Sequence, residues 1–538
     1  MFLELPTGSD YADAEMTEPR FPEGHGREKL SCNRASIVTE AVPGEDVSLD
    51  VLVAVARHDV RVSFNSACRE RVERSRALTE RFIREKRVIY GVTTGVGENV
   101  RRIISEDEAG RYQENILLTH CTSVGEPLDR EAVRATMFVM LLNMGAGYSG
   151  VRMETLEKLA AMLNRDVVPW APSHGSVGYL AIEAHIALVL TGRGKAWFGG
   201  ELLDGGEAMK RAGIRPVVPT HREGLCLISG CTSITALGAL AACDARNLVS
   251  TADVIAACTL EVLHANLSSF DERVMSAKRQ PEQQRIARHI LKILNGSADH
   301  GERNLQDALS LRCVPQAHGA ARRTIEDAVS VLENELHSCN DNPIIHPSGE
   351  VISACNADAG FTGIESDSLC IAMGYLSKIS ERRTDRLLNE YVSGLPPFLT
   401  PDPGSNSGYM ELQNSSAGLM GEIRVLSHPA SVDSIPTCAL QEDYVSMGYN
   451  AARKARQVVE LAEYVLGNEL LAAVQAAEFR SGEDAPSPVT AAIAAAVREK
   501  APFMKNDHYI APDMEWAHTL VHSGRIRAIA EKIIGPMF

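Results

Sequence analysis

From Leu49 onward the apolar positions recur with a helical period. Ile325, Val329, Leu332 and Leu336 follow one another at steps of four, three and four residues, and Val458, Leu461, Ala462, Val465 and Leu466 repeat that stripe and extend it through Leu470 and Val474. The stretch Tyr444–Phe479 holds two glycines and no proline, which predicts one very long helix; Thr362–Tyr391 and Ser229–Leu260 predict two more. Helices of this length are not stable in isolation and must bury their stripes against one another, as in a bundle. Strand patterns are sparse, with short candidates at Val88–Thr93 and Asn342–His346. Residues 1–45 carry Pro6, Pro19, Pro22, Gly24, Gly26, Pro43 and Gly44 without a sustained period and read as a flexible extension. Residues 46–222 are repeatedly broken by Gly and Pro and predict an irregular N-terminal loop-and-helix domain. Residues 223–480 predict the long-helix bundle. The linker pattern Ser481–Pro488 then leads into a C-terminal helical cap over 481–538. The expected fold class is mostly α.

Composition narrows the function classes. Hydrophobic residues make up 45% of the 538 and charged residues 23%, an ordinary globular balance. Acidic residues outnumber basic ones 70 to 54, for a net charge of −16, which disfavours a nucleic-acid partner. The richest apolar runs, Met137–Leu142 and Ala236–Cys243, are far too short to cross a bilayer, and the acidic N-terminus lacks the order of a signal peptide, so no membrane partner and a cytoplasmic location are expected. The twelve cysteines include no CxxC pair. Cys243, Cys258 and Cys370 sit in apolar stretches and read as small buried hydrophobes, and no metal site is expected.

Several polar clusters stand out, each open to a structural as well as a chemical reading. Tyr90–Gly97 is a glycine-rich loop without the lysine or the GxGxxG spacing of a phosphate cradle. His174–Gly178 precedes a helical pattern but lacks the spacing of a nucleophile elbow. Asn340–Pro343 reads as a polar turn at a helix end, and Gln441–Tyr444 as a first helical turn with acids at the positive end of the dipole.

In order and spacing these clusters resemble the aromatic amino acid ammonia-lyases and aminomutases, with histidine ammonia-lyase nearest in the C-terminal half. The resemblance rests on Ile89–Gly97, Leu117–Gly125, Gly147–Arg152, Arg222–Ser233, Ser310–Gly319, Glu335–Pro343 and His428–Gly448, and extends over roughly residues 50 to 500. It implies an ammonia-lyase-like helical homotetramer with active sites shared between subunits. It also implies a small-molecule substrate bearing a carboxylate.

In that family an Ala-Ser-Gly tripeptide cyclises and dehydrates to a methylidene-imidazolone (MIO), the electrophile that activates the amine. By resemblance, Leu180, Ala181, His185, Gly192 and Gly194 set the register so that the tripeptide is Ser176-Val177-Gly178. Valine has no hydroxyl to lose, so the prosthetic group is expected to be absent and no cofactor is expected. A register shifted by one would put Ser176 in the middle, with the crowded amide of β-branched Val177 as the attacking group. Companion changes surround the same pocket: Ser229 replaces the asparagine that supports the MIO oxygen, Leu309 a tyrosine, Ala357 the pocket phenylalanine, and Leu440 an asparagine.

The resemblance carries other roles over unchanged. Tyr90 matches the general base or acid, His120 a histidine beside the ring pocket, and Glu442 a glutamate near the reacting centre. Gln306 matches a substrate-facing glutamine, Arg312 the guanidinium that grips the carboxylate, and Asn340 with Asp341 a bordering turn. His120 and Glu442 equally suit helix-end polar groups. The expectation is a MIO-independent lyase-like enzyme in which Tyr90, its pKa lowered by positive charge or hydrogen bonds, moves a proton next to a carbonyl, and in which Arg312 is unpaired until it meets substrate. Elimination, conjugate addition, cyclisation or isomerisation, in specialised metabolism, would all suit that set. The alternatives are a conventional histidine or aromatic amino acid ammonia-lyase or aminomutase, and a non-catalytic relative.

Overall fold

The computed structural model describes residues 40–43, 47–297, 305–480 and 485–537. Residues 1–39 and 44–46 of the expected extension, and 481–484 of the linker, lie outside the described residues.

The long helices are Thr232–Val262, Gly360–Leu388 and Gly448–Phe479, packed on one another and on Val314–Leu336. Their apolar stripes are the reason. Ile325, Leu332 and Leu336 are buried on one helix, and Val458, Ala462, Val465, Leu466, Leu470 and Val474 on another. Each such large side chain contributes about 1.5–3 kcal/mol when removed from water. The helix Arg130–Gly145, which contains the run Met137–Leu142, is buried at every position from Ala132 onward and docks the N-terminal half onto Thr232–Val262. The C-terminal helices Pro488–Arg498, Ala511–His522 and Arg525–Ile534 pack against the long helices, and one apolar core runs from Ala41 to Met537.

Helix ends depart from expectation where side chains redirect the backbone. Gln441–Tyr444 is loop, because Met447 takes φ 51° and its N–H donates to the Val177 carbonyl oxygen at 3.1 Å, delaying the helix to Gly448. The Thr362–Tyr391 pattern breaks at Asn389, whose side chain accepts from the Tyr391 N–H and starts a separate turn, Glu390–Ser393. Val88–Thr93 forms no strand; its backbone closes a turn on the Ile89 carbonyl oxygen. Asn342–His346 is a strand only at Ile344–Ile345, paired with Val351–Ile352. Cys258 and Cys370 are buried hydrophobes as expected, but Cys243 is half-buried between the carboxylate of Asp50 and the guanidinium of Arg246. Among the described residues no helix is long and apolar enough to cross a membrane.

Two features of the bundle bear on function. The first is a buried carboxylate. Glu469 accepts from Arg383 Nε at 2.5 Å and Nη2 at 2.7 Å, from the Ser380 hydroxyl at 2.6 Å and from the Thr259 hydroxyl at 2.7 Å, so one side chain joins the long helices. The second is the convergence of helix starts. A Cβ on Gly363 would lie 3.1 Å from the Gly448 Cα, and one on Gly448 2.9 Å from the Ala359 Cβ, so only glycine lets these ends touch. Glu183 of helix Ala181–Leu190 accepts from the Ser233 N–H and the Thr232 hydroxyl, bringing two more starts to the same place.

Glu469→Ala leaves a buried guanidinium without its partner. It is expected to cost about 3–5 kcal/mol in urea unfolding, and a loss below about 1 kcal/mol would remove this pair from the centre of the bundle's stability.

Candidate active site

Tyr90 sits on the turn that follows Ile89, with Val92 and Thr93 donating back to the Ile89 carbonyl oxygen. Its hydroxyl accepts from the Gly97 N–H at 3.1 Å, and the Tyr112 hydroxyl accepts from the Val96 N–H at 3.0 Å, so two phenols hold one loop. The expected lowering of the Tyr90 pKa is not what the surroundings produce. Burial pushes the phenol up and the Glu442 carboxylate adds to it, outweighing the Gly97 hydrogen bond and the Arg222 guanidinium. Tyr90 therefore keeps its proton at neutral pH, and any basic role requires a neighbouring group to take that proton in the same step.

Glu442 is half-buried, and its Oε2 is buried with no hydrogen-bond partner among the described residues. It is reached through a turn in which Cys438, Ala439 and Leu440 all take left-handed φ values of 50°, 54° and 70°, and the Thr437 N–H donates to the Glu442 carbonyl oxygen at 2.7 Å. Such conformations cost free energy at each residue and gather where a side chain must be aimed. Leu440 points outward, 72% exposed.

The degenerate tripeptide borders this loop. The Val177 carbonyl oxygen is held by Met447, Ser176 Oγ accepts from the Gly178 N–H at 3.3 Å, and a Cβ on Gly178 (φ 149°) would lie 2.8 Å from Ser446 Oγ. The side chains present do not fit a methylidene-imidazolone in this register. The central residue is an isopropyl group, and the supporting asparagine is Ser229, whose hydroxyl accepts from the Asn342 N–H at 3.2 Å.

Asn340 and Asp341 belong to a turn that is buried, at 3% and 0% exposure, and Arg222 is the cause. Fully buried at φ 79°, Arg222 pairs with Asp341 at 2.6 Å and donates to the carbonyl oxygens of Ser149, Asn342 and Pro343. Asn340 donates to Glu335 at 2.8 Å, and its N–H donates to Asn143. His120 ends the helix Glu106–His120, with Nδ1 at 2.7 Å from the Ile116 carbonyl oxygen, which is a helix-end contact.

Gln306, Leu309 and Arg312 stand apart. They lie on and before the short helix Leu309–Arg312, with Gln306 and Leu309 exposed. Arg312 is half-buried and is not unpaired: its Nε donates to the Asp307 carbonyl oxygen at 2.9 Å. Leu309 lines a cavity of about 700 Å³ with Cys313, Tyr375, Lys378, Arg382 and Arg424. Among the described residues no hydrogen bond joins these three to Tyr90 or Glu442. Ala357, half-buried, is on the turn between Cys355 and Asp358, and burial first, with the Glu442 and Asp358 carboxylates adding to it, holds the Tyr179 phenol well above the ordinary tyrosine value. Tyr179, Cys438, Tyr112 and the anchoring of the turn by Arg222 escaped the sequence reading. Tyr179 alone had a visible signal, an aromatic phenol directly after the tripeptide.

The long-helix bundle, with a phenol, a carboxylate and a buried guanidinium on the loops between its helices, is the scaffold of an aromatic amino acid lyase. The aromatic amino acid lyase family model matches residues 47–499, and the chain belongs to that family. It is 44% identical to the histidine ammonia-lyase of Symbiobacterium thermophilum over 92% of this chain and 99% of that protein. Among solved structures it is similar to histidine ammonia-lyase from Trypanosoma cruzi (TM-score 0.87, 32% identity, 92% of this chain and 95% of the other). It is also similar to tyrosine aminomutase from Streptomyces globisporus (TM-score 0.88, 30% identity, 92% and 99%).

The raised Tyr90 pKa has a sign that can be checked. The folded state favours the neutral phenol, so its contribution to stability is whole below the ordinary tyrosine value of about 10 and is lost as pH climbs through the higher folded value. In an absorbance titration Tyr90→Phe should delete a phenol that ionises above the ordinary tyrosine value, and loss of one ionising at or below that value would contradict the burial of its proton.

Proposed function

We propose that the protein is a lyase of this family that transfers protons on a carboxylate-bearing substrate without a methylidene-imidazolone. The observation that carries this reading is Val177 at the centre of the tripeptide, where the family's electrophile requires a hydroxyl. The remaining residues can still run an elimination. Tyr90 accepts the substrate's proton while passing its own to Glu442, the electron pair left behind forms the double bond, and Arg312 binds the carboxylate through a planar fork. With no electrophile, the substrate must supply an acidic C–H or a good leaving group, and the same groups serve the reverse addition, a cyclisation or an isomerisation. Leu309 and Ala357 in place of aromatic residues suit a bulkier substrate, as in a specialised pathway, and the free cysteines suit the cytoplasm.

The comparisons favour a second reading over this one. A relative 44% identical over nearly its whole length is named histidine ammonia-lyase, which supports conventional release of ammonia from an amino acid. That chemistry requires the shifted register, with a ring formed around Ser176.

The intact mass separates the two. The MIO-independent reading expects the mass encoded by the gene, whereas a deficit equal to the waters lost on cyclisation and dehydration would establish the ring and end it. With the encoded mass in hand, Tyr90→Phe and Arg312→Ala are each expected to lower turnover at least about 100-fold, whereas a non-catalytic relative would keep its biological activity in both variants.

The separation of Arg312 and Gln306 from Tyr90 also supports a site completed by another copy, in a homotetramer. Helix Gly360–Leu388 presents Phe361, Ile364, Ile371 and Tyr375 on one exposed face, the spacing of a helix-packing seam. Phe361→Asp with Ile364→Asp should shift sedimentation from tetramer to smaller species, and an unchanged profile would take this face out of the interface.

A further inference from the structure

Resting on the reading in which Tyr90 moves the substrate's proton, we propose that Arg222 is the positioning residue of Tyr90, its guanidinium fork locking the Tyr90–Gly91 backbone and the Asn340–Pro343 turn into one register.

The Tyr90 loop has a floor, and Arg222 is part of it. A Cβ on Gly91 would lie 2.2 Å from Leu225 Cδ2 and 3.6 Å from Arg222 Nη1, so the backbone next to Tyr90 rests directly on the segment that Arg222 opens. Gly91 takes φ 62°, and no side chain fits in the space beneath it. The same segment is tied to the helix Glu106–His120, because Gln113 Oε1 accepts from the Gly224 N–H at 2.8 Å and from the Leu225 N–H at 3.3 Å. That helix carries Tyr112, which holds Val96 at the far end of the Tyr90 loop. The loop is therefore fixed at both ends, and both anchors lead back to residues 222–225.

On its other side the guanidinium grips the turn. Nη1 donates to the Asn342 carbonyl oxygen at 3.0 Å and Nη2 to that of Pro343 at 3.2 Å, while Nη2 pairs with Asp341 at 2.6 Å. Nε donates to the Ser149 carbonyl oxygen at 3.1 Å. The Asn342 N–H in turn donates to the Ser229 hydroxyl at 3.2 Å. A planar fork meets this many acceptors in fixed directions, which an ammonium cannot do. Tyr90, Ser229 and the Asn340–Pro343 turn come from three parts of the chain, and this one side chain links them.

The backbone is strained to put it there. Arg222 is fully buried at φ 79°, a conformation that persists only where the surroundings impose it and that gathers at sites where a side chain must be aimed. Glu223, also fully buried, does the imposing: it accepts from Arg152 Nη2 at 2.6 Å, from the Thr155 hydroxyl at 2.6 Å and from the Thr220 N–H at 3.0 Å. What the fork contributes is placement rather than charge, because Asp341 neutralises the guanidinium at 2.6 Å. Placement matters to a proton-moving phenol, since a misplacement of about 1 Å can cost about 100-fold in rate.

The test uses the full-length protein labelled with [13Cζ]tyrosine, in which Tyr90→Phe assigns the Tyr90 resonance, and it needs no substrate. Arg222→Lys keeps the charge and loses the fork. Arg222→Met with Asp341→Leu removes the pair together, so that no buried charge is stranded. In both, the loosened loop lets water reach the phenol, and the Tyr90 midpoint should fall towards the ordinary tyrosine value by at least about tenfold in proton concentration. The Gly97 amide, which donates to Tyr90, should exchange at least about tenfold faster, while amides of helix Gly448–Phe479 keep their protection. A Tyr90 midpoint that is unchanged, or that rises as loss of a positive charge alone would make it, overturns the proposal, as does a Gly97 amide exchanging at the wild-type rate. Loss of protection throughout helix Gly448–Phe479 in both variants also overturns it, since Arg222 would then hold the whole scaffold. The proton-moving reading fails on a different result, turnover indifferent to Tyr90→Phe, whatever the Arg222 variants do.

Discussion

The structure depends on a carboxylate placed where water cannot reach it. Glu469 lies in the middle of helix Gly448–Phe479 and binds Arg383 and Ser380 on one neighbouring helix and Thr259 on another. An ion pair of this kind adds little net stability over a well-packed apolar core, but an unsatisfied charge there is very costly. What it fixes is register: sliding any of these helices by a turn would strand the guanidinium. Because the helices are held in register at their middles, their starting ends meet at fixed distances, as the close approach of Gly363, Gly448 and Ala359 shows.

That convergence explains why the site is assembled from segments so far apart in sequence. Tyr179 precedes helix Ala181–Leu190, Ser229 precedes Thr232–Val262, Ala357 and Asp358 precede Gly360–Leu388, and Glu442 precedes Gly448–Phe479. Each polar residue sits in the non-helical stretch just before a helix, where backbone N–H groups are unpaired and the dipole is positive. A region bounded by several helix starts gives four independent loops rigid supports. Of the left-handed residues, Leu180, Cys438 to Leu440 and Met447 fall in these same stretches, while Arg222 opens the short helix Glu223–Cys226.

The bundle was legible in the sequence for a simple reason. Apolar residues at intervals of three and four leave a record over thirty residues that no single substitution erases, so Thr232–Val262, Gly360–Leu388 and Gly448–Phe479 were readable to within a few residues at their starts. Their ends were less legible because they are set by contacts from elsewhere: Val177 capturing the Met447 N–H turned the acidic stretch Gln441–Tyr444 from helix to loop. Tyr90 and Glu442 were readable through family motifs, but the direction of the Tyr90 pKa shift was not, since it depends first on how deeply the fold buries the phenol and then on a carboxylate 352 positions away in the chain. Arg222 itself was hidden because a buried arginine looks like any surface one until its partners, Asp341 and three carbonyl oxygens, are known.

The same distinction bears on what similarity to histidine ammonia-lyases reports. Identity over hundreds of residues reports mainly on what holds helices together, and the helical scaffold is shared here. The family's electrophile is made from the atoms of three residues, and its formation turns on one oxygen. At Val177 the carbonyl oxygen still accepts from Met447 and Ser176 still accepts from the Gly178 N–H, so the loop keeps its tie to the Glu442 segment without the hydroxyl. In the reading proposed above, the chemistry left to this scaffold is proton transfer at Tyr90 and Glu442, whose side chains stand outside the tripeptide.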